Sequence, residues 1–594
     1  MISKQRVIAF LKLFYRGFGR YKRQIGILTF LGFFGSLLEG IGINALIPLF
    51  SFITGQGEGG NDFISKTIKS AFNFFHINFS IKYLLIFISL LFILKAVLVV
   101  LSNYIAVRIN SGYEEQTRKH LFKDTLKANW PFLLKQKLGH LEILLMTNIR
   151  NNSVLLGYIS IFTITIASLI VYAFVAINIS FYITLIALAS SVLLLSFYRP
   201  VVDRLRKLAY EEEAVNRQIA HHVNENIIGM KTVKTMAAEE QIDKISGDFF
   251  SRLRRIQIKS FLFSSLPGSL SEPFSLIFIC VVFAFSYKTP NFNIAAFAAV
   301  IYLIKQIFAY GQQLSKYLLA FNSQVPYLRK VLDYQNEAIL QKEENQGDRN
   351  FKFEGAIEFK DVNFYYEKGR DILDNINFKI NKGETIGLVG PSGAGKTTIV
   401  DLFLRLFCPT QGKILLDDIN IQDINLQEWR KNIGYVSQDI FLKNDTIANN
   451  IKFYNESISE KEIEEAAKMA NIYDFIQSCP ERFSTFVGER GILLSAGQRQ
   501  RIIIARILVR QPKLLILDEA TSALDNESER QIQEVIENLK SKMTVFIIAH
   551  RLTTLINSDR ILALEGGKII EQGSPQELLK KADSYLFKVY NIKK

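Results

Sequence analysis

The sequence predicts two folds in series: an α-helical domain of six membrane spans, then an α/β domain built around a phosphate-binding loop. Three observations carry this. The chain has 594 residues, more than one hydrophobic core supports. Apolar runs at about 25–54, 83–107, 155–178, 180–198, 262–287 and 292–318 are each near or above the ~20 residues that cross a bilayer. Finally, Gly390-Pro391-Ser392-Gly393-Ala394-Gly395-Lys396-Thr397-Thr398 matches G-x-x-x-x-G-K-[ST] without a mismatch.

Charge divides the chain at the same place. The net charge is +15, yet residues 1–350 hold 38 Lys/Arg against 22 Asp/Glu, while residues 351–594 hold 33 against 34. The basic excess thus belongs to the apolar half, where it lies between hydrophobic runs. That is the positive-inside pattern of a membrane protein and argues against a nucleic-acid partner. Cys280, Cys408 and Cys479 show neither metal-ligand spacing nor even pairing, so disulfides and zinc are not expected.

Taken in order, residues 1–24 are basic and aromatic and read as an amphipathic cytoplasmic lead-in; the apolar run that follows is too long for the core of a signal peptide. Spans three and four meet at Asn178-Ile179-Ser180, and spans five and six near Lys288–Asn291, as tight hairpins. The connections between spans two and three and between four and five are long, charged and helical in pattern. Their Lys/Arg content places them, with both termini, on the cytoplasmic side of a cell membrane, with the loop at 55–82 outside. Within them, Trp130–Leu134 and Glu225–Lys234 are short apolar interruptions suited either to interfacial packing or to docking on the second domain. Residues 1–335 therefore form the membrane domain, the polar stretch 336–350 a linker, and 351–594 the α/β domain.

In that α/β domain the loop at 390–398 follows the apolar run Thr385–Val389 and precedes Ile399–Phe403, a strand–loop–helix order. Glycines let successive backbone N–H groups turn toward an anion, and the helix N-terminus adds its positive end. Lys396 is placed to reach the β- and γ-phosphates of a nucleotide, and the Thr397 hydroxyl to hold Mg²⁺. Leu514-Leu515-Ile516-Leu517-Asp518-Glu519 is an apolar strand ending in two carboxylates. Asp518 suits the metal side of the site and Glu519 a general base for an attacking water.

With these residues in place the chain resembles an ATP-binding cassette (ABC) exporter half-transporter, most specifically over about 353–580. The resemblance implies ATP and Mg²⁺ as ligands and a site shared between two copies. Tyr366 resembles the aromatic that stacks on adenine, with Tyr365 the weaker choice. Gln438 resembles the glutamine that senses Mg²⁺ and contacts the membrane domain. Leu494–Gln498 resembles the signature loop, in which Ser495, Gly497 and Gln498 face the γ-phosphate held by the opposite protomer. Glu489-Arg490 matches the loop that relays to the coupling segments, Asp525 the segment crossing the dimer interface, and His550 the histidine that holds the γ-phosphate. One departure is Ala496, where the family's usual signature has glycine; the added methyl and narrower φ range predict a slight effect on closure. An intact site makes a homodimer the simplest assembly, a heterodimer the alternative.

The expected function is ATP-driven export or flipping of an amphipathic substrate, a lipid or lipid-linked glycan, with a drug or peptide exporter or an ATP-gated channel as alternatives. Glu39–Pro48 resembles the first helix of bacterial lipid-linked oligosaccharide flippases. Glu39, Lys95 and Lys305 fall near the bilayer midplane, where a charge facing lipid costs about 2.5–3.5 kcal/mol. They are expected to face the bundle interior or a cavity, either as a structural pair of Glu39 with one lysine or as contacts for an anionic group. Glu272 is a further candidate to neutralise the lysine left over.

Overall fold

The computed structural model describes residues 4–592 apart from 54–68, 71, 75, 137–138, 198, 288–293, 346, 368, 521–524, 541 and 550–554. The chain divides into two compact units: Met1–Ala128 with Phe132–Lys342, and Glu343–Lys594 with Asn129–Pro131.

The first unit is helical. Among the described residues, each predicted span is helical, the first as two helices, and three of the helices run far beyond the span. Ile81–Leu126, Glu239–Ser286 and Ile294–Leu340 are 46, 48 and 47 residues long. At 1.5 Å per residue the shortest is about 69 Å, more than twice a ~30 Å hydrocarbon core. The charged connections are therefore in large part continuations of membrane helices, joined between the fourth and fifth spans by the separate charged helix Arg199–Ile228. Among the described residues, Leu11–Asn44, Ile81–Leu126, His140–Asn178 and Glu239–Phe285 are long and apolar enough to cross a membrane, and Phe181–Leu193 is a shorter apolar helix. The turn expected near 288–291 and most of the loop 55–82 lie outside the described residues. The last helix continues to Leu340, five residues into the stretch read as linker. Ala338 is buried there and Glu337–Leu340 are ordinary helix formers.

The first span is not one helix. Lys22–Asn44 and Leu46–Ile53 are separated at Ala45. Pro48 has no N–H to give the carbonyl of Asn44, and its ring crowds that turn, so the helix breaks just before it. The two interruptions in the long connections are the short helices Trp130–Leu134 and Met230–Thr235.

Small and hydroxyl residues bring the first and third spans together. Thr29 and Thr163 share a hydroxyl bond of 2.7 Å, and Ser36 and Ser168 one of 2.5 Å. Gly32 lies so close to the third span that a Cβ there would sit 2.8 Å from Ile164 Cγ1. In lipid, helices gain little from apolar burial, so close backbone approach and polar bonds across the interface supply the attraction.

The charges near the midplane separate into two kinds. Glu39 is buried and its Oε2 lies 2.5 Å from Lys95 Nζ on the second span. Tyr302 Oη donates to Glu39 Oε1 at 3.3 Å, and Gln306 Nε2 donates to Tyr302 Oη at 2.5 Å. The structural pair is thus Glu39 with Lys95. Lys305 and Glu272 are exposed and lie outside that cluster.

The second unit carries two sheets. A six-stranded sheet has the order β10-β9-β3-β8-β7-β6 and a four-stranded antiparallel sheet the order β2-β1-β4-β5. The strands are β1 Ala356–Phe364, β2 Leu373–Asn381, β3 Thr385–Val389, β4 Gln411–Leu416, β5 Ile419–Asn420, β6 Ile433–Val436, β7 Leu514–Asp518, β8 Thr544–Ile548, β9 Arg560–Glu565 and β10 Lys568–Gly573. All pairings in the larger sheet are parallel except β9–β10. β3, β7 and β8 are buried throughout, and successive residues alternate between two cores. Leu515, Leu517, Val545 and Ile547 face one; Leu514, Ile516, Phe546 and Ile548 face the other. This is why their sequences are unbroken apolar runs rather than alternating ones.

Lys95→Ala removes one partner and leaves Glu39 charged in an apolar bundle. The expected loss is about 1–4 kcal/mol, between an exposed pair and a fully buried one. Thermal unfolding in detergent should show it, and the double variant Glu39→Gln, Lys95→Met should recover most of it; an unshifted midpoint for Lys95→Ala would contradict the pairing.

Candidate nucleotide-binding site

The loop at 390–395 leaves the end of β3 and enters the helix Lys396–Phe403. Gly393 and Gly395 have φ of +79° and +103°, a region that L side chains avoid. At Gly395 a Cβ would also lie 2.7 Å from Leu373 Cδ2. Pro391, Ser392, Gly393 and Thr397 are exposed, whereas Ala394 and Thr398 pack inward. The Lys396 side chain is buried and curls over its own loop, donating to the carbonyls of Gly390 at 2.9 Å and Pro391 at 3.0 Å. Burial lowers its pKa, and the nearby charges of Glu519 and Asp518 oppose that shift. An ammonium bonded to neutral carbonyls, with carboxylates near, can exchange those partners for a phosphate.

Asp518 is the last residue of β7 and is buried; Tyr435, from β6, donates its hydroxyl to Asp518 Oδ2 at 3.3 Å. The next residue turns sharply. Glu519 has φ +49°, left-handed for a residue with a side chain, while its N–H is bonded to Ile548 O at 2.9 Å. Such backbone is uncommon and is held by its surroundings. Glu519 Oε2 accepts from Gln438 Nε2 at 2.8 Å. The Thr397 hydroxyl, Asp518 carboxylate and Gln438 amide oxygen are all hard oxygen donors, a set that fits Mg²⁺.

Tyr366 is half-exposed beside the loop. Its hydroxyl lies 3.1 Å from Thr398 Oγ1 and 3.4 Å from Asp401 Oδ2, and its ring meets Phe407 edge-on at 5.1 Å. Burial, against the Tyr366 hydrogen bond and reinforced by the charge of Asp518, pushes the Asp401 carboxyl up to about 6. The loop, Lys396, Asp518, Glu519 and Gln438 thus converge at one end of the sheet, with Tyr366 at its flank. His550 lies outside the described residues. Tyr435 and Asp401 were not singled out in the sequence, because nothing local marks a tyrosine in a strand or an acid in a helix as facing the site.

Ser495, Gly497 and Gln498 stand on another element and share no described hydrogen bond with that cluster. Ser495 caps the helix Ala496–Leu508: its Oγ accepts from Gln498 N at 3.2 Å, and Gln498 Oε1 accepts from Ser495 N at 2.8 Å. This reciprocal capping box is legible in the sequence as S-x-x-Q before an apolar run. It also sets the backbone of Ala496. That residue is the first of a right-handed helix, a conformation alanine prefers over glycine, so its φ carries no strain. The size-limited position is Gly497, where a Cβ would come 2.6 Å from Ser528 Cβ on the helix Asn526–Leu539. Asp525 caps that helix, accepting from Ser528 N at 3.1 Å.

Ala496→Gly is therefore expected to lower stability by about 0.5–1 kcal/mol and leave ATP turnover unchanged. Gly497→Ala should cost about 1–3 kcal/mol through overpacking. Denaturant midpoints and ATPase rates of the two variants check this; a faster Ala496→Gly enzyme would show that the methyl slows closure.

Comparison with known proteins agrees with this geometry. Residues 25–313 match the ABC transporter transmembrane region and residues 373–522 the ABC transporter family model. The ATP-dependent lipid A-core flippase of Coxiella burnetii is 32% identical over 511 residues, 85% of this chain and 86% of the relative. The putative multidrug export ATP-binding/permease protein YgaD of Bacillus subtilis is 35% identical over 396 residues, 66% of this chain and 68% of the relative. A bacterial Atm1-family ABC exporter with ATP bound superposes with a TM-score of 0.79 at 24% identity, covering 96% of this chain and 98% of that one. Membrane helices, phosphate loop and paired acids in one chain make this protein a member of the ABC transporter family, a multi-pass exporter that binds ATP and couples its hydrolysis to transport.

Proposed function

We propose that this chain works as a homodimer that flips an amphipathic, phosphate-bearing lipid, with Mg²⁺ as the cofactor of hydrolysis. The convergence of Lys396, Asp518, Glu519 and Gln438 is the observation that carries the ATP half of this reading. Lys396 leaves the Gly390 and Pro391 carbonyls for the β- and γ-phosphates, and the N–H groups of 390–398 turn toward them. Thr397, Asp518 and Gln438 would hold Mg²⁺, which when bound neutralises charge on the phosphates. Glu519 accepts a proton from the attacking water, and His550 holds the γ-phosphate. Tyr366 offers its ring to adenine. Ser495, Gly497 and Gln498 of a second copy close over the γ-phosphate with the start of their helix. ATP then binds the closed dimer better than the open one, which is the condition for driving a conformational change. The basic excess between the spans supports a nucleotide domain and termini on the cytoplasmic side.

For the substrate, the support is an exposed lysine on a membrane helix. Lys95 is committed to Glu39, while Lys305 is exposed on the sixth span, where a cation facing hydrocarbon is unfavourable. A phosphate or pyrophosphate headgroup in a cavity between two copies would satisfy it. The flippase relative acts on a lipid, and the Bacillus relative is a putative multidrug exporter, which keeps a drug as the second reading.

The chain purified alone should hydrolyse ATP, and Glu519→Gln should keep ATP affinity while slowing turnover by about 10²–10⁴-fold, the usual worth of a general base. Near-normal turnover in that variant would remove Glu519 from the role, and activity only after adding a different half-transporter would remove the homodimer.

In vesicles, polyprenyl pyrophosphate should stimulate the ATPase and the neutral polyprenol should not. Lys305→Ala should weaken the apparent affinity for the pyrophosphate lipid by roughly 10- to 100-fold, the worth of a charge-assisted hydrogen bond. Equal stimulation by both lipids, or by lipophilic cations alone, would contradict an anionic substrate.

A further inference from the structure

The far end of the phosphate-loop helix is tied to the chain that leaves the last membrane helix. Lys396–Phe403 is only eight residues long, so its last carbonyls need partners close by. The neighbouring helix Leu426–Asn432 supplies them. Trp429 Nε1, fully buried, donates to Phe403 O at 2.7 Å. Arg430 donates from Nε to Leu404 O at 3.2 Å and from Nη2 to Arg405 O at 3.0 Å. A guanidinium on these carbonyls also meets the negative end of the helix dipole.

The same guanidinium forks onto Glu343: Nη1 to Oε2 at 2.8 Å and Nη2 to Oε1 at 2.6 Å. Glu343 is the first residue of the second unit, three residues after Leu340 ends the helix that carries the sixth span. The stretch after it is strapped down as well. Asn345 Oδ1 accepts from Leu426 N at 2.9 Å, Arg349 N donates to Asp423 O at 3.1 Å, and Asn425 N donates to Arg349 O at 2.8 Å. Gly347 lies so close to this segment that a Cβ would come 2.5 Å from Ile424 C. Within the polar stretch 336–350, Glu343, Asn345 and Arg349 are thus each bonded to the segment 423–430.

We propose that Glu343 and Arg430 are positioning residues that form a strut between the phosphate-loop helix and the chain leaving the sixth membrane helix. The strut passes the state of the phosphate-loop helix on through the covalent link at 341–342, where Gln341 N donates to Glu337 O at 2.8 Å and Lys342 N to Ile339 O at 3.3 Å. Nucleotide phosphates act at the N-terminus of the eight-residue helix, Arg430 grips its C-terminus, and Glu343 passes the displacement to the covalent link with Ile294–Leu340. The bidentate fork fixes direction as well as distance, which a lysine cannot do. The inference rests on ATP binding at 390–398 but not on the identity of the substrate.

The test uses the full chain in lipid vesicles and hydrogen exchange read by peptide, with and without ATP plus vanadate. In the unaltered protein, trapping should change protection both around 385–403 and along Ile294–Leu340. Glu343→Gln and Arg430→Lys should keep the change around 385–403 and keep ATP affinity, while the response of Ile294–Leu340 shrinks by about 2- to 30-fold, the range of coupling changes along such networks. Glu343→Asp, which keeps the charge, should retain more of the response than Glu343→Gln. A membrane-helix response of full size in both Glu343→Gln and Arg430→Lys would overturn the strut. So would a parallel loss in both regions, which would mark the pair as support for the fold alone. Absence of any change around 385–403 in the unaltered protein would instead count against the nucleotide site itself.

Discussion

The chemistry of the second unit depends on strand register. β8 lies between β3 and β7, and Ile548 is level with both Leu388 and Asp518. Asp518 therefore ends β7 at the height where β3 is about to release the chain into Gly390. With strands about 4.8 Å apart, the acid and the loop are some 10 Å from each other across one strand, a gap that a lysine side chain and a phosphate can bridge from opposite sides. A shift of one residue in either pairing would point Asp518 to the other face and separate the two halves of the site. The double-sided burial of β3, β7 and β8 is what holds that register, because the apolar residues of these strands already have a place in one core or the other.

Seen this way, the parts of the site that could be read from sequence are those where one residue type does one job at a fixed spacing. The phosphate loop is legible because only glycine adopts the φ of positions 393 and 395 without strain, and because lysine must open the helix. The carboxylates are legible because an apolar strand ends on them. The left-handed turn at Glu519 is not, since it is imposed by the bond to Ile548 on a strand that comes later in the chain. The place of Ala496 at a helix start is likewise set by the reciprocal bonds of Ser495 and Gln498, which the residue name alone does not carry. Arg430 is invisible for the opposite reason, being one of many exposed-looking arginines whose partners are recruited from distant segments.

The membrane unit shows a different balance. Its spans were legible from apolar length alone, because lipid demands that every backbone group be satisfied within the helix. Their packing was not, since residues such as Thr29, Gly32 and Ser36 are ordinary in a hydrophobic run until a second helix is set against them. The three long helices were divided at the point where charge appears, although a helix has no reason to end when its surroundings change from lipid to water. Among the described residues, a helix ends inside a predicted span just before Pro48, which removes a donor.

Unbroken helices of this length have a mechanical consequence. A helix of about 69 Å that is clamped within a ~30 Å slab leaves roughly 40 Å outside it. Rocking such a rod by ~10° about the membrane surface sweeps its free end through about 7 Å, while atoms near the fulcrum hardly move. The protein can therefore trade a wide, weak stroke at the water-exposed tips for a short, forceful one among the side chains of the bundle. Gearing of that kind depends on stiffness along the whole rod, so a glycine or proline placed well away from either site, midway along Ile81–Leu126, would act as slack in the linkage.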